Sequence, residues 1–214
     1  MYSKEIEFNV DSDRLVGVLS THNSEPEKVS LILHPHPLYG GSMDDSVVQF
    51  IDHVLLNQGY ATFKFNFRGT NSRADYKGVS GAVQDALAAS RTLLHESRLE
   101  KMGVLGYSFG GSVALHIASR INAEFLVTFS ASLDIAQEME ANLDSWRGIN
   151  CPTLMFHGDS DSVVPPDDMR VLSELLISSV VRTVLLEGEG HFYMRHLPTA
   201  GFHLSDFLQQ MAKG

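Results

Sequence analysis

Gly106-Tyr107-Ser108-Phe109-Gly110 reads Gly-x-Ser-x-Gly, set between the apolar run Met102 to Leu105 and a helix-like stretch from Gly111 to Arg120. In that setting the five residues make a sharp strand-to-helix turn. Such a turn pushes the serine out of the sheet's end, hydroxyl exposed and the next backbone N–H free. The glycines leave room where a side chain would clash. A serine hydroxyl is a poor nucleophile by itself, so Ser108 asks for a base to take its proton and an acid to hold that base. The expected base is His191, in Gly188-Glu189-Gly190-His191-Phe192 after the apolar run Val181 to Leu186. The acid is Asp161 or Asp159, in His157-Gly158-Asp159-Ser160-Asp161 after the run ending at Phe156. Asp161, deeper in its loop before Val163-Val164-Pro165, is favoured; either aspartate could instead simply form a turn. His53, His95 and His116 fall inside helix-like stretches, and His22, His196 and His203 follow no strand.

Acyl transfer also needs two N–H donors aimed at the developing oxyanion. One is the backbone N–H of Phe109. The other belongs to His34-Pro35-His36-Pro37-Leu38-Tyr39-Gly40-Gly41, where the prolines have no N–H and leave His36, Leu38 and Tyr39. His34 and His36 have no Cys or Glu partner nearby, so no metal is expected there. Tyr39 and Tyr107, with Leu38 and Phe109, are candidates for an apolar wall against the substrate, though aromatic residues beside such a turn also pack cores.

These residues must be held at strand ends. Lys4 to Val10 and Arg14 to Ser20 alternate apolar and polar residues about Asp11-Ser12-Asp13, predicting an antiparallel hairpin. Apolar runs then predict strands at Val29–Leu33, Ala61–Phe67, Met102–Gly106, Phe125–Phe129, Cys151–Phe156 and Val181–Leu186. Between them helical spacing predicts helices over Asp45–Gln58, Val79–Glu96, the stretch after Ser108, Asp167–Ser178 and Phe202–Met211, with one more around Leu133–Leu143. Strand and helix alternate after the hairpin, which means a mostly parallel twisted sheet with helices on both faces. The segment from Ser130 to Asn150 has room for one helix, hence a minimal cap or none, and residues 1–214 read as a single domain.

Composition narrows the function. Of 214 residues 43% are hydrophobic, enough for a substantial core, and the net charge of −10 argues against binding nucleic acid. The lone Cys151 cannot form an internal disulfide. The first residues lack a basic then apolar leader and no run is long enough to span a membrane, so a cytoplasmic protein with no membrane attachment is expected. Oligomeric state is not legible.

Taken in order, His34 to Gly41, Phe65-Asn66-Phe67-Arg68-Gly69, Gly106 to Gly111, Cys151-Pro152-Thr153 with Gly158 to Pro165, and Gly190-His191-Phe192 resemble the α/β-hydrolases along nearly the whole chain. More narrowly they resemble small bacterial serine hydrolases related to dienelactone hydrolases, with a His-Pro-His-Pro-x-x-Gly-Gly loop. The resemblance implies the α/β-hydrolase fold and a Ser-His-Asp hydrolase without cofactor, carried here by Ser108, His191 and Asp161. It favours a small-molecule acyl substrate, an ester or thioester. By analogy with the position after His-Gly in related enzymes, it also favours Leu38 as the second oxyanion donor. A serine stands where true dienelactone hydrolases carry cysteine. Asn71 stands where the family's Arg-Gly-x-Gly-x-Ser loop has glycine, and Arg68 is expected to make a structural ion pair. A peptidase of the same fold and a non-catalytic binding protein on this scaffold are the rival readings.

Overall fold

A computed structural model describes residues 1–139, 143–176 and 180–212. The opening hairpin is β1 (Tyr2–Val10) and β2 (Asp13–Thr21), turned at Asp11, whose φ of 52° lies in the left-handed region that Asp tolerates. Then follow β3 (Val29–Leu33), α1 (Ser46–Asn57), β4 (Ala61–Phe65), α2 (Gly78–Ser97), β5 (Met102–Tyr107), α3 (Phe109–Ala118) and β6 (Ala123–Phe129). The chain continues through α4 (Leu133–Met139), β7 (Thr153–Gly158), α5 (Asp167–Leu175), β8 (Val181–Leu186) and α6 (Leu197–Met211).

The eight strands of the described residues form one sheet in the order β1-β2-β4-β3-β5-β6-β7-β8. The β1–β2 and β2–β4 pairs are antiparallel and every other pair is parallel. β3 and β4 are buried along their whole length because the sheet is covered on both faces, and the polar Thr62 and Lys64 of β4 are met there by Asp52. Val83, Leu93, Val113, Leu115 and Leu172 pack one face from α2, α3 and α5. Val48, Ile51, Leu55, Leu204 and Leu208 pack the other from α1 and α6. Successive residues of β5 divide between these cores, Val104 on one side and Leu105 on the other, as the period-two pleat requires.

Several ends differ from the sequence expectation. α3 starts directly after Ser108, not at Gly111, because the turn is completed within one residue. α6 starts at Leu197, not Phe202, since Pro198 in a first turn removes an N–H with no helical partner anyway. β4 stops at Phe65, where Phe67 N–H turns to the His34 side chain. α4 ends at Met139 and a short 3-10 turn covers Leu143–Gly148, and α5 ends at Leu175; residues 140–142 and the expected end of α5 at 177–178 lie outside the described residues. α4 packs against α2, α3 and α5, and Trp146 is fully buried with its ring edge on His116, so these described parts of the connection lie on the body of the fold. Among the described residues, no helix is long and apolar enough to cross a membrane.

Candidate active site

The chain runs from β3 outward to β4, then returns across β3 to β5. The carboxyl ends of β3 and β5 therefore flank a topological switch point, where open α/β sheets form a crevice. Ser108 stands there with φ 54° and ψ −118°, a strained conformation for a residue with a Cβ. Close packing holds it. A Cβ on Gly106 would come 2.1 Å from the Gly110 carbonyl oxygen, and one on Gly110 would come 2.2 Å from that of Leu33. No side chain fits at either position, and α3 thereby seats directly against the end of β3.

The candidate base and acid follow the last two parallel strands. His191 Nε2 lies 3.0 Å from Ser108 Oγ, and His191 Nδ1 lies 2.8 Å from Asp161 Oδ2. A carboxylate only accepts, so Nδ1 carries the proton and Nε2 is left to accept the serine hydroxyl. Asp161 is buried and its Oδ1 accepts the N–H groups of Val163 and Val164, each at 2.9 Å. Burial alone would raise its carboxyl. Hydrogen bonds from His157, His191, Val164 and Val163 instead hold it well below the usual carboxylate range. His157 Nε2 donates to the Val164 carbonyl at 3.1 Å and sits 3.4 Å from Asp161 Oδ2, bracing the same loop. Asp159, the other candidate acid, accepts from Gly188 N–H at 2.7 Å and is exposed, a tie between two loops.

The β3 loop departs from the expectation for Leu38. The Leu38 N–H donates to His36 Nδ1 at 3.2 Å, and Tyr39 N–H donates to the His36 carbonyl at 3.1 Å. His36 thus caps its own short 3-10 turn, Pro37–Tyr39, and uses up the downstream donors. The N–H groups of His36 and Phe109 have no partner among the described residues, Phe109 because it opens α3. Nor do the two loop histidines act as a pair. His34 is fully buried, its Nδ1 donating to the Pro35 carbonyl at 2.6 Å and its Nε2 accepting Phe67 N–H at 2.9 Å. Burial lowers its pKa to about 4, against the raising effect of the Pro35 carbonyl. His36 Nε2 faces Tyr76 Oη at 3.3 Å, and burial lowers this histidine too.

A cleft of about 220 Å³ opens over Ser108 and His191, lined also by Tyr39, Tyr107, Val163 and Phe192. Tyr39 stands exposed at its mouth. Tyr107 is buried and its hydroxyl donates to the His191 carbonyl at 2.9 Å, so it steadies the base as well as walling the cleft. Leu38 and Phe109 do not line it. Arg68 is locked in a buried pair with Asp85 at 2.7 Å and also pairs with the exposed carboxylate of Asp13 at 2.9 Å, away from the cleft. A larger cavity, about 360 Å³, lies at the opposite strand ends beside Lys101, Asn122 and Cys151. Burial raises that thiol to about 11, so it stays protonated and unreactive at neutral pH.

Sequence reasoning missed Glu189. Fully buried, it accepts N–H groups from Gly190 and Arg195 at 2.9 Å each, and from His196, tying down the loop that carries His191. A glutamate in a glycine-rich loop reads as solvated, and only its adjacency to His191 hinted otherwise. Asp45, read only as part of a helix, also lines the cleft.

Comparisons agree with this architecture. An uncharacterized protein of Rickettsia prowazekii (strain Madrid E) is 27% identical over 210 residues, covering 95% of this chain and 88% of that one. A solved α-β serine hydrolase homologue from Coxiella burnetii is 26% identical, with TM-score 0.80 and coverage of 95% and 96%. A lidless serine hydrolase from Xanthomonas campestris shares the fold at 20% identity, with TM-score 0.82 and coverage of 97% and 94%. The family model for dienelactone hydrolases matches residues 55–198, from the end of α1 past the loop of His191. With a sheet order and a serine turn that fit α/β-hydrolase architecture, that match places this hydrolase: the chain belongs to the dienelactone hydrolase family.

Proposed function

We propose that this is a single-domain serine hydrolase that cleaves small carboxylic esters or thioesters through an acyl-enzyme. The observation that carries the reading is the unbroken Ser108–His191–Asp161 relay, with links of 3.0 and 2.8 Å. Ser108 Oγ attacks the acyl carbonyl while His191 Nε2 takes its proton. Asp161, which keeps its charge, stabilises the imidazolium and fixes the ring. The carbonyl oxygen becomes an oxyanion held by the N–H groups of Phe109 and His36. His36 takes the role expected of Leu38, whose N–H is engaged. The imidazolium then protonates the leaving alcohol or thiol. Water, deprotonated by His191, cleaves the acyl-enzyme and returns Ser108.

The open cleft of about 220 Å³ favours short acyl groups. Replacing Ser108 with Ala is expected to lower kcat by about 10³-fold or more on a short p-nitrophenyl ester, with circular dichroism unchanged. Near wild-type turnover in that variant would reject the mechanism. Labelling by a fluorophosphonate, lost in the same variant, separates a working nucleophile from a silent scaffold.

A further inference from the structure

One charged side chain in the cleft has no part in the relay. Asp45 lines it beside Ser108, His191, Tyr39, Tyr107 and Phe192. Its Oδ1 caps α1 by accepting Val47 N–H at 2.9 Å, and no side chain donates to this carboxylate among the described residues. Capping needs a short polar oxygen, which Ser or Asn would also supply, and the helix N-terminus favours a negative one, but neither accounts for the carboxylate's place in the cleft wall. Lysine and arginine do not answer that charge. Among the described residues neither lysine nor arginine lines the cleft, and Arg73, from the loop after β4, is spent on the Leu38 carbonyl at 3.4 Å. Burial raises the Asp45 carboxyl while the Val47 and Val48 N–H groups and nearby His191 lower it. At the mouth, Tyr39 and Phe192 stand 85% and 64% exposed, offering ring faces that attract cations.

Building on the ester-hydrolase reading, we infer that Asp45 makes this cleft selective for substrates bearing a cationic ammonium group near the scissile carbonyl. The same charge selects against substrates bearing a carboxylate there. A half-buried anion is stabilised by a cation brought into the cleft and repels an anion, so one residue both attracts and excludes.

The test compares acetylcholine with its uncharged isostere, 3,3-dimethylbutyl acetate. At about 0.1 M salt, where distant charges are screened, the wild-type ratio of kcat/KM, cationic over neutral, is expected to be about ten, and to fall to about one in Asp45→Asn, which keeps the helix cap. Both esters share the same chemistry, so any effect of the substitution on His191 cancels in the ratio. Asp44→Asn, at the exposed neighbour, should leave the ratio unchanged. A wild-type ratio of one or less overturns the inference, as does an equal fall in the Asp44 variant, which would assign the preference to the overall field. Calorimetric binding of the two esters to Ser108→Ala protein reads the same preference without turnover. If that preference depends on Asp45 while Ser108→Ala still hydrolyses esters, the mechanism falls and the inference stands. If ester turnover needs Ser108 but neither assay distinguishes the two esters, the inference alone falls.

Discussion

Glu189 fixes the loop that carries His191. Its carboxylate gathers N–H groups on both sides of His191 in sequence, at Gly190 and at Arg195 and His196. Truncation leaves these donors unpaired in a buried place, so Glu189→Ala is expected to cost about 2–4 kcal/mol in urea unfolding. Catalysis should suffer beyond stability, with kcat falling more than KM rises, because the loop sets the 3.0 Å approach of His191 to Ser108. Unchanged kcat in a folded Glu189→Ala enzyme would show that Tyr107 and Asp161 hold the ring unaided. Asp161→Asn should leave the fold in place and lower kcat by about 10⁴-fold, as expected when a triad loses the group that selects the imidazole tautomer. Asp159→Asn, at an exposed tie between loops, should change kcat little. Rapid kinetics on the two aspartate variants, purified in parallel, distinguishes the two neighbours directly.

The turn at Ser108 and the loop after β3 work as one piece, because Gly110 packs on the backbone of Leu33. Gly110→Ala would drive a Cβ to 2.2 Å from a carbonyl oxygen, and chemical denaturation should register a loss of about 3 kcal/mol or more. His34 links β3 to the end of β4, and its titration gives the link a pH signature. Its folded pKa of about 4 lies below the ordinary 6.5, so the unfolded chain binds the proton first as pH falls. Stability is therefore intact above about 6.5 and is lost as pH drops toward 4, by about 2–3 kcal/mol between pH 7 and 4.5. Urea midpoints across that range should show the slope, and His34→Gln should flatten it by about one proton's worth; an unchanged slope would assign it to other groups. Strands, helices and the three relay residues were legible in the sequence because each rests on a local pattern, an apolar run or a glycine-flanked polar residue. Which N–H of the β3 loop is left without a partner was not. It depends on which N–H the His36 ring captures, and that follows from the fold of a loop no periodicity describes. The start of α6 was missed for a related reason, since Pro198 reads as a break until its place in a first turn is seen.

Across the molecule, strand order decides which charges meet at the cleft. The loops leaving β3, β7 and β8 all reach it, and between residues 34–45, 159–166 and 187–196 they carry Asp44, Asp45, Asp159, Asp161, Glu187 and Glu189 against Arg195 alone. The basic residues Arg68, Arg73 and Lys77 sit instead on the loop after β4, which does not line the cleft. The net charge of −10 is thus carried in part on the loops that reach the cleft, Asp45 lying in its wall. A cleft walled by one sign of charge raises the local concentration of oppositely charged solutes, and salt removes the effect. Screening shortens from about 30 Å at 0.01 M to about 10 Å at 0.1 M, so the distant carboxylates fade first and Asp45, inside the cleft, fades last. For acetylcholine kcat/KM is expected to fall a few-fold over that range and then level off above the neutral ester. For a hydrolysable monoester of succinate it should rise, and for 3,3-dimethylbutyl acetate it should stay flat. Stopped-flow or steady-state assays at fixed pH give all three slopes. Slopes of one sign for both charged esters would mean that salt acts on the enzyme and not on the encounter, and the charge distribution would then have no part in choosing the substrate.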